Sequence, residues 1–268
     1  MSSVAPPDPY GEFAEFYDVY VGERLDDLPF YLEAAKSART PVLEIGAGSG
    51  RLTVPLARGG VSLVAVDISP AMLAILKGRL EQEPDAVQRR VEVVEADARR
   101  FDLGRQFDLL VVPFYTFNYF LTREDQTSAL RRFAAHLTER GRALIDVFIP
   151  LGLLERCPSD PVPKVDRMDP ATGCRVRGWN IYTFDKEQQM EHRRHIFEVA
   201  RPDGTVRRRE FITRRRYWFR EQLNALFERH GFVVEGVCRG YAGAPADERS
   251  EQLLFELRRS AAAEDLRI

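Results

Sequence analysis

The sequence predicts an α/β protein, a doubly wound parallel sheet with an added antiparallel β cover, and three observations predict it. Between Pro41 and Phe148 short apolar runs alternate with helix-like stretches, at Val42–Ile45, Val61–Val66, Val91–Val94, Leu109–Val112 and Ala143–Phe148. Short runs of this kind suit buried strands, and a strand–helix repeat builds a parallel sheet wrapped on both faces. The first run enters a glycine-rich turn, Gly46-Ala47-Gly48-Ser49-Gly50, before a helix-like segment. Beyond Pro150 the texture changes to longer segments, Val176–Phe184, Met190–Val199 and Val206–Trp218, the last two joined by Pro202-Asp203-Gly204. These read as antiparallel strands.

Each element follows in order. Residues 1–11 are small and proline-rich and read as disordered, whereas Phe13, Phe16, Tyr17 and Tyr20 recur at helical spacing. Residues 1–38 are therefore expected to form a helical arm or lid. Residues 39–150 form the core block, in which Ser69 caps a helix with Pro70 in its first turn and Thr122 opens another that runs to about His136. Residues 151–217 form the cover; Leu151–Pro170, carrying Pro158, Pro161, Pro163 and Pro170, reads as a surface loop. Residues 218–260 return to the core as a helix, Glu221–His230 stopped by Gly231, and two strands, Phe232–Cys238 and Leu253–Leu257. The tail from Ala261 reads as frayed.

Composition narrows the function. The chain has 268 residues, 44% hydrophobic, enough for a sizeable core, and 39 basic against 41 acidic residues, a formal charge of −2. Near-neutrality argues against a general nucleic-acid coat or a membrane-surface binder. The longest apolar run, Leu109–Phe114, is far short of the roughly 18 residues of a membrane span. The first residues lack the basic head and apolar stretch of a secretory signal, so the expected location is cytoplasmic. Cys157, Cys174 and Cys238 are too dispersed for zinc-ligand spacing and read as free thiols; no metal site is expected.

The glycine turn carries the sharpest chemistry. Glycines at 46, 48 and 50 depart from the G-x-G-x-x-G spacing that seats a pyrophosphate on a helix N-terminus, and Glu44 stands two positions before them. A carboxylate there repels a pyrophosphate but helps hold, through water, the cationic amino-acid part of a ligand. Asp67, at the end of the second strand, is placed to accept both hydroxyls of a ribose. The third strand is expected to end in Asp97-Ala98, where a carboxylate and a backbone N–H would read the edge of an adenine. Together these positions outline a nucleoside without a phosphate.

In E-I-G-A-G-S-G-R (44–51), V-A-V-D-I-S-P-A-M-L (64–73) and E-A-D-A (95–98) the sequence resembles the class I S-adenosylmethionine-dependent methyltransferases, closely over residues 40–150 and more loosely beyond. The resemblance implies a seven-stranded Rossmann-like sheet and S-adenosylmethionine as cofactor. It implies that Glu44, Gly46, Ala47, Gly48 and Gly50 surround the methionine moiety, that Asp67 binds the ribose, that Ile68 and Met72 pack on the adenine, and that Asp97 with Ala98 reads its edge. Three antiparallel strands followed by Y-W-F-R-E-Q-L (217–223) resemble a small-molecule branch that includes sugar N,N-dimethyltransferases and glycine-type N-methyltransferases. In that branch the N-terminal helix closes over the site with a Tyr-Asp pair, here Tyr17-Asp18, which makes Tyr17 the lid candidate.

The fourth strand runs into Pro113-Phe-Tyr-Thr-Phe-Asn-Tyr-Phe120 at the edge that faces the crevice of a doubly wound sheet. Aromatic rings there would steady a sulfonium by cation–π contact, on the order of 0.5–2 kcal/mol. Phe114 is assigned to the cofactor side, and Tyr115, Asn118 and Tyr119 to the acceptor side. This stretch is not the N-P-P-Y or D-P-P-Y of nucleic-acid and protein-glutamine N-methylating members. For a general base the candidates are His192, His195 and Tyr115; the two histidines, three apart in one strand, point to opposite faces.

Only four lysines accompany 35 arginines, and residues 193–220 hold ten arginines against Glu198, Asp203 and Glu210. Arg207, Arg209 and Arg215 alternate onto one face of their strand and are the candidates for holding an anionic acceptor. The expected function is methyl transfer to a nitrogen or oxygen of a small molecule in specialised metabolism, with nucleic acid and membrane not expected as partners and a homodimer compatible with it. Alternatives are an RNA or protein methyltransferase using the arginines as a phosphate groove, and a non-catalytic cofactor-binding protein. A nicotinamide dehydrogenase is disfavoured by the glycine spacing.

Overall fold

In the computed structural model, which describes residue 8 and residues 10–156, 158, 160–169 and 172–260, two sheets organise the chain. β1 (Val42–Ile45), β2 (Leu63–Asp67), β3 (Val91–Glu95), β4 (Phe107–Val112) and β5 (Leu137–Phe148) are parallel neighbours in the order β5-β4-β1-β2-β3. A separate antiparallel sheet joins β6 (Val162–Met168), β7 (Arg175–Asp185), β8 (Met190–Ala200) and β9 (Val206–Arg216) in sequence order. The chain then returns to the first sheet, where β10 (Phe232–Arg239), β11 (Ala244–Pro245) and β12 (Gln252–Arg259) add antiparallel beside β5. The core sheet thus has eight strands, the expected seven plus the two-residue β11.

Alternation along β1 sorts the two faces. Leu43 and Ile45 face the cluster closed by α6 (Arg123–Ala135) and α8 (Arg220–Arg229), through Leu130, Phe133, Leu223 and Phe227. Val42 faces the opposite cluster, where α2 (Leu28–Ala35) and α3 (Thr53–Arg58) pack with Tyr31, Leu52 and Leu56. Phe107, Phe117, Phe133, Phe227 and Phe255 are fully buried, each worth roughly 1.5–3 kcal/mol over exposure. α4 (Pro70–Glu81) begins as expected, with Pro70 at its start and Ser69 Oγ accepting the Met72 N–H. α6 starts on a capping box between Thr122 and Asp125. α5 (Asp85–Gln88) leads into β3.

Three expectations are corrected. The proline-rich segment is not a loop throughout: it forms α7 (Leu151–Arg156) and then β6, so the cover has four strands. β6 is an edge strand, with a register shift between Pro163 and Val165, the setting in which a strand tolerates proline. β3 stops at Glu95, which places Asp97 in the following turn. Within the segment expected to be disordered, Asp8 accepts a hydrogen bond from Ser69 Oγ at 2.7 Å and from its own neighbour's backbone, Tyr10 N–H, at 2.9 Å. Residues 1–7, the tail from 261 and Cys157 lie outside the described residues, while Cys174 and Cys238 are free thiols.

The N-terminal arm occupies the space between the sheets. α1 (Ala14–Val21) lays Phe13, at its N-cap, and Phe16 on the inner face of the cover against Phe197 and Phe211; the Phe16 and Phe197 rings stack at 4.6 Å. Asp18 pins the helix to the core by accepting from Ser49 Oγ at 2.8 Å and pairing with Arg79 at 2.6 Å.

Candidate active site

The order of the parallel strands reverses between β1 and β4, so the crevice at their carboxyl ends is the expected ligand site. The loop after β1 is shaped by what lies against it. Gly46 has φ +78°, and a Cβ there would lie 2.5 Å from Thr116. No other residue fits without moving the loop that follows β4.

Asp67 holds the glycine loop and the α4 N-terminus in one carboxylate. Its Oδ2 accepts the Gly48 N–H at 2.8 Å and its Oδ1 the Ser69 N–H at 2.8 Å. Burial raises its pKa, and the Ser69 and Gly48 N–H groups pull the other way. A carboxylate offers about four acceptor positions, so the outward pair fits ribose hydroxyls. Met72 is buried beneath the loop, its Cε 3.1 Å from where a Cβ at Gly48 would be, and Ile68 is half-buried beside Asp67. Ala47 is buried beneath the same loop. Glu44 is fully buried and accepts from Thr53 Oγ1 at 2.7 Å; burial raises its pKa to about 7. It ties the end of β1 to the start of α3.

Asp97 is more engaged than a reader of adenine needs. Arg99 forks onto both of its oxygens and Arg100 reaches Oδ2, while Arg99 also bridges to Asp125 at the start of α6. Burial is the largest single influence and raises its pKa, but the Arg99 hydrogen bonds with the Arg99 and Arg100 charges together outweigh it and lower it. Ala98 is half-buried next to it.

The aromatic loop after β4 holds its rings by strained backbone: Phe114 and Tyr115 both have left-handed φ, 51° and 68°. Such geometry in non-glycine residues costs on the order of 1–3 kcal/mol each and clusters at functional sites. The Phe114 ring stacks on Tyr115 at 5.4 Å and lies under the Arg51 guanidinium at 4.4 Å. Arg51 is itself forked onto the buried Asp27, at 2.8 and 2.5 Å. The π surface assigned to a sulfonium is thus already shared with a protein cation.

Asn118 is not free to meet an acceptor. Its Nδ2 donates to the carbonyls of Phe148 and Arg216, and its Oδ1 accepts the Phe148 N–H, which ties the end of β5 to the end of β9. Tyr119 does face the interior, its ring 5.2 Å from that of Tyr10, and Tyr10 lies 5.6 Å from Tyr17. Burial raises the Tyr17 phenol well above its usual range, with Arg51, Tyr119 and Asp67 all acting on it. The lid candidate is packed edge-on against Tyr10 and Phe13.

The histidines divide as their spacing requires. His195 is on the inner face, buried, hydrogen-bonded to Thr213 Oγ1 at 2.9 Å and packed 4.8 Å from Phe13. Burial, then Arg193 and Arg215, lower its pKa to about 3, so it is neutral and a feeble base. His192 alternates with Arg194 and Glu198 onto the outer face. Tyr115 is no base either: burial, and the nearby Asp146, push its pKa up to about 12.

The three arginines assigned to an anion are not together. Arg207 and Arg215 are eight residues apart on β9, about 26 Å at ~3.3 Å per residue, too far for one small acceptor. Arg209 lies 3.9 Å from Glu15, and Arg207 lines a separate cleft of about 590 Å³ with Glu15, Phe16 and Arg201. Only Arg215 is inside. It is 7% exposed, its guanidinium 5.3 Å from the Phe148 ring, which lies 5.3 Å from that of Tyr115.

Sequence reading missed four parts of this site: the Arg51–Asp27 fork, the Tyr10–Asp8 entry, the Glu191–Arg193–Arg215 group and Asp146. Asp146 is fully buried, accepts from Tyr241 at 2.5 Å and Gln252 at 3.2 Å, and has its pKa raised by burial to about 7. Its signal was there, one acid inside the apolar run Ala-Leu-Ile-Asp-Val-Phe. Among the described residues no helix is long and apolar enough to cross a membrane, and no histidine, cysteine or carboxylate cluster suits a metal.

Comparisons with known proteins bear on the family and the fold. Residues 42–141 match the family model described as a methyltransferase domain. The chain is 28% identical over 223 residues to the cypemycin N-terminal methyltransferase of a Streptomyces species, covering 81% of this chain and 82% of that protein. It is 28% identical over 255 residues to the dTDP-3-amino-3,6-dideoxy-alpha-D-glucopyranose N,N-dimethyltransferase of Streptomyces fradiae, covering 90% and 92%. The fold matches the solved structure of the CcbJ methyltransferase from Streptomyces caelestis with a TM-score of 0.79 at 23% identity, covering 94% of this chain and 98% of that one.

Proposed function

This chain is an S-adenosylmethionine-dependent methyltransferase, and we propose that it methylates a nitrogen or oxygen of a small molecule, nitrogen first, in specialised metabolism. One observation carries the reading: the glycine loop held by Asp67 is covered by α1, which Asp18 ties to Ser49 and Arg79 and whose Phe16 packs on the cover sheet. Tyr10 packs with Tyr17 and Tyr119, and Tyr115 with Phe148; read as the walls of an acceptor chamber, these rings suit a small acceptor better than a polynucleotide.

When bound, the cofactor supplies an electrophilic methyl group on a sulfonium. The chain's part is to align and enclose: Asp67 and the glycine loop hold the nucleoside and methionine ends, and the tyrosines exclude water. Alignment lowers the barrier of an in-line displacement by several kcal/mol, on the order of 7–11 at best. Neither the His195 imidazole nor the Tyr115 phenol is a competent base at neutral pH. That favours an acceptor that presents its own lone pair, as an amine does. The amino-sugar N,N-dimethyltransferase among the relatives supports the same choice.

The test is a panel of amino sugars, amino acids, peptides with free amino termini and phenols, incubated with methyl-labelled cofactor and read by mass. Label on an amine-bearing small molecule is the expected result. Label only on RNA, or on internal residues of folded proteins, would overturn it.

A further inference from the structure

The inner face of the cover carries a buried charge group with no role in holding the cofactor. Glu191, 2% exposed, receives two guanidiniums: Arg215 Nη2 at 2.8 and 3.1 Å, and Arg193 at 2.6 and 2.9 Å. The alternation of β8 and its register with β9 put all three on the face toward the aromatic loop, with Glu191 directly opposite Arg215. Among the described residues Glu191 is the only carboxylate paired with either arginine. Burial would raise the Glu191 pKa, but Arg215 and Arg193 outweigh it and hold the group ionised. The group therefore carries one net positive charge in a largely buried setting.

Such a charge is costly when left unbalanced. His195 beside it is neutral, so that imidazole adds no further charge. Arg193 is fully used, reaching Glu191 and, at 3.5 Å, Tyr20. Arg215 is not. Both of its hydrogen bonds leave through Nη2, and its Nε and Nη1 have no hydrogen-bond partner among the described residues. A guanidinium nine-tenths buried and fixed by a carboxylate through Nη2 leaves its Nε–H and Nη1–H as charged donors for an oxyanion. It does so two ring contacts from Tyr115, through Phe148, and acts on the Tyr10 phenol.

We propose that Arg215, backed by Glu191 and Arg193, recognises an oxyanion on the methyl acceptor, so that the substrate class is an amine or hydroxyl compound bearing a carboxylate or phosphate about one small molecule's length from the methylated atom. This rests on the methyltransferase reading and assigns the acceptor's charged end to residues that touch neither the glycine loop nor Asp67. Arg207 and Arg209 take no part in it.

The experiment is calorimetry on protein saturated with S-adenosylhomocysteine, titrated at constant ionic strength with acetate, inorganic phosphate and, as the neutral probe, acetamide. Saturable one-to-one binding of at least one oxyanion and none of acetamide is expected; preference for acetate or phosphate identifies which acid the acceptor bears. Arg215→Gln, which leaves Glu191 paired with Arg193, is expected to weaken that binding at least tenfold and Arg215→Lys to restore part of it, with S-adenosylhomocysteine affinity within twofold of the parent in both. S-adenosylhomocysteine binding without oxyanion binding, or equal oxyanion binding by folded Arg215→Gln, overturns the inference and leaves the methyltransferase reading standing. Failure of the folded parent to bind S-adenosylhomocysteine overturns both.

Discussion

The glycine loop and the chamber above it are built by opposite means. Around Asp67 the contacts are short-range and made by backbone: two N–H groups from the loop and the α4 N-terminus fix one carboxylate. The chamber is assembled from side chains of the arm, the loop after β4, the end of β5 and strands β8 and β9, joined by Asn118 and by the Glu191 group. The first region is closely packed and tolerates little change. The second is a set of long-range pairings whose members can vary singly, which suits a surface that sets substrate choice.

Breaking the glycine loop should have the largest effect. Gly46→Ala forces a Cβ onto Thr116 at a left-handed φ, and overpacking with backbone strain should lower stability by roughly 2–5 kcal/mol in denaturant unfolding. A loss under about 1 kcal/mol would show that the loop after β4 yields easily. Asp67→Ala should weaken S-adenosylhomocysteine by roughly 1.5–3 kcal/mol, about tenfold or more, through lost charge-assisted hydrogen bonds. Calorimetry giving unchanged affinity would place the ribose elsewhere. On the chamber side, Asn118→Ala leaves the Phe148 N–H and two carbonyls without their partner and should cost roughly 1–3 kcal/mol of stability, with S-adenosylhomocysteine affinity little changed. A matched fall in that affinity would mean that the two regions are coupled.

The buried carboxylates sharpen the comparison through pH. Glu44 and Asp146 both have folded pKa values raised by burial to about 7, above the 4.5 and 3.8 of the free groups. Each folded carboxyl therefore holds its proton more tightly than the unfolded one, so its contribution is complete below about pH 4 and is lost as pH rises through 7. Asp146→Asn removes that dependence: relative to the parent it should gain stability between pH 5 and pH 8 in melting experiments. A difference that stays flat, or shrinks, would show that Asp146 is ionised in the folded protein at pH 5. The smallest effect is expected at the exposed end of β9. Arg207→Gln with Arg209→Gln should change stability by less than about 0.5 kcal/mol and leave the acceptor's KM within twofold. A large KM change there would move the acceptor's charged end away from Arg215.

What was readable in advance follows the same division. The strand–helix alternation, the Ser69 and Thr122 caps, and the spacing of Glu44, the glycines and Asp67 are local, and local backbone geometry follows from adjacent residue types. β6 was hidden by Pro163 and the prolines before it because edge position, which excuses a proline, is a property of the assembled sheet. Alternation placed Arg207, Arg209 and Arg215 on one face, correctly for a straight strand, yet parity carries no information about distance along it. Asn118 and Asp146 have their partners 30 or more residues away in sequence, so nothing beside them announced what they hold.

The sequence by itself determined the doubly wound sheet, the antiparallel addition and a nucleoside site without a phosphate loop, because each is written in periodicity, turn residues and short spacings. Only the tertiary structure decided which arginine is buried, which carboxylate confronts it, and which tyrosines close the chamber. Those depend on strand register and on how one sheet sits over the other, and a shift of one residue in register would have sent Arg215 to the opposite face.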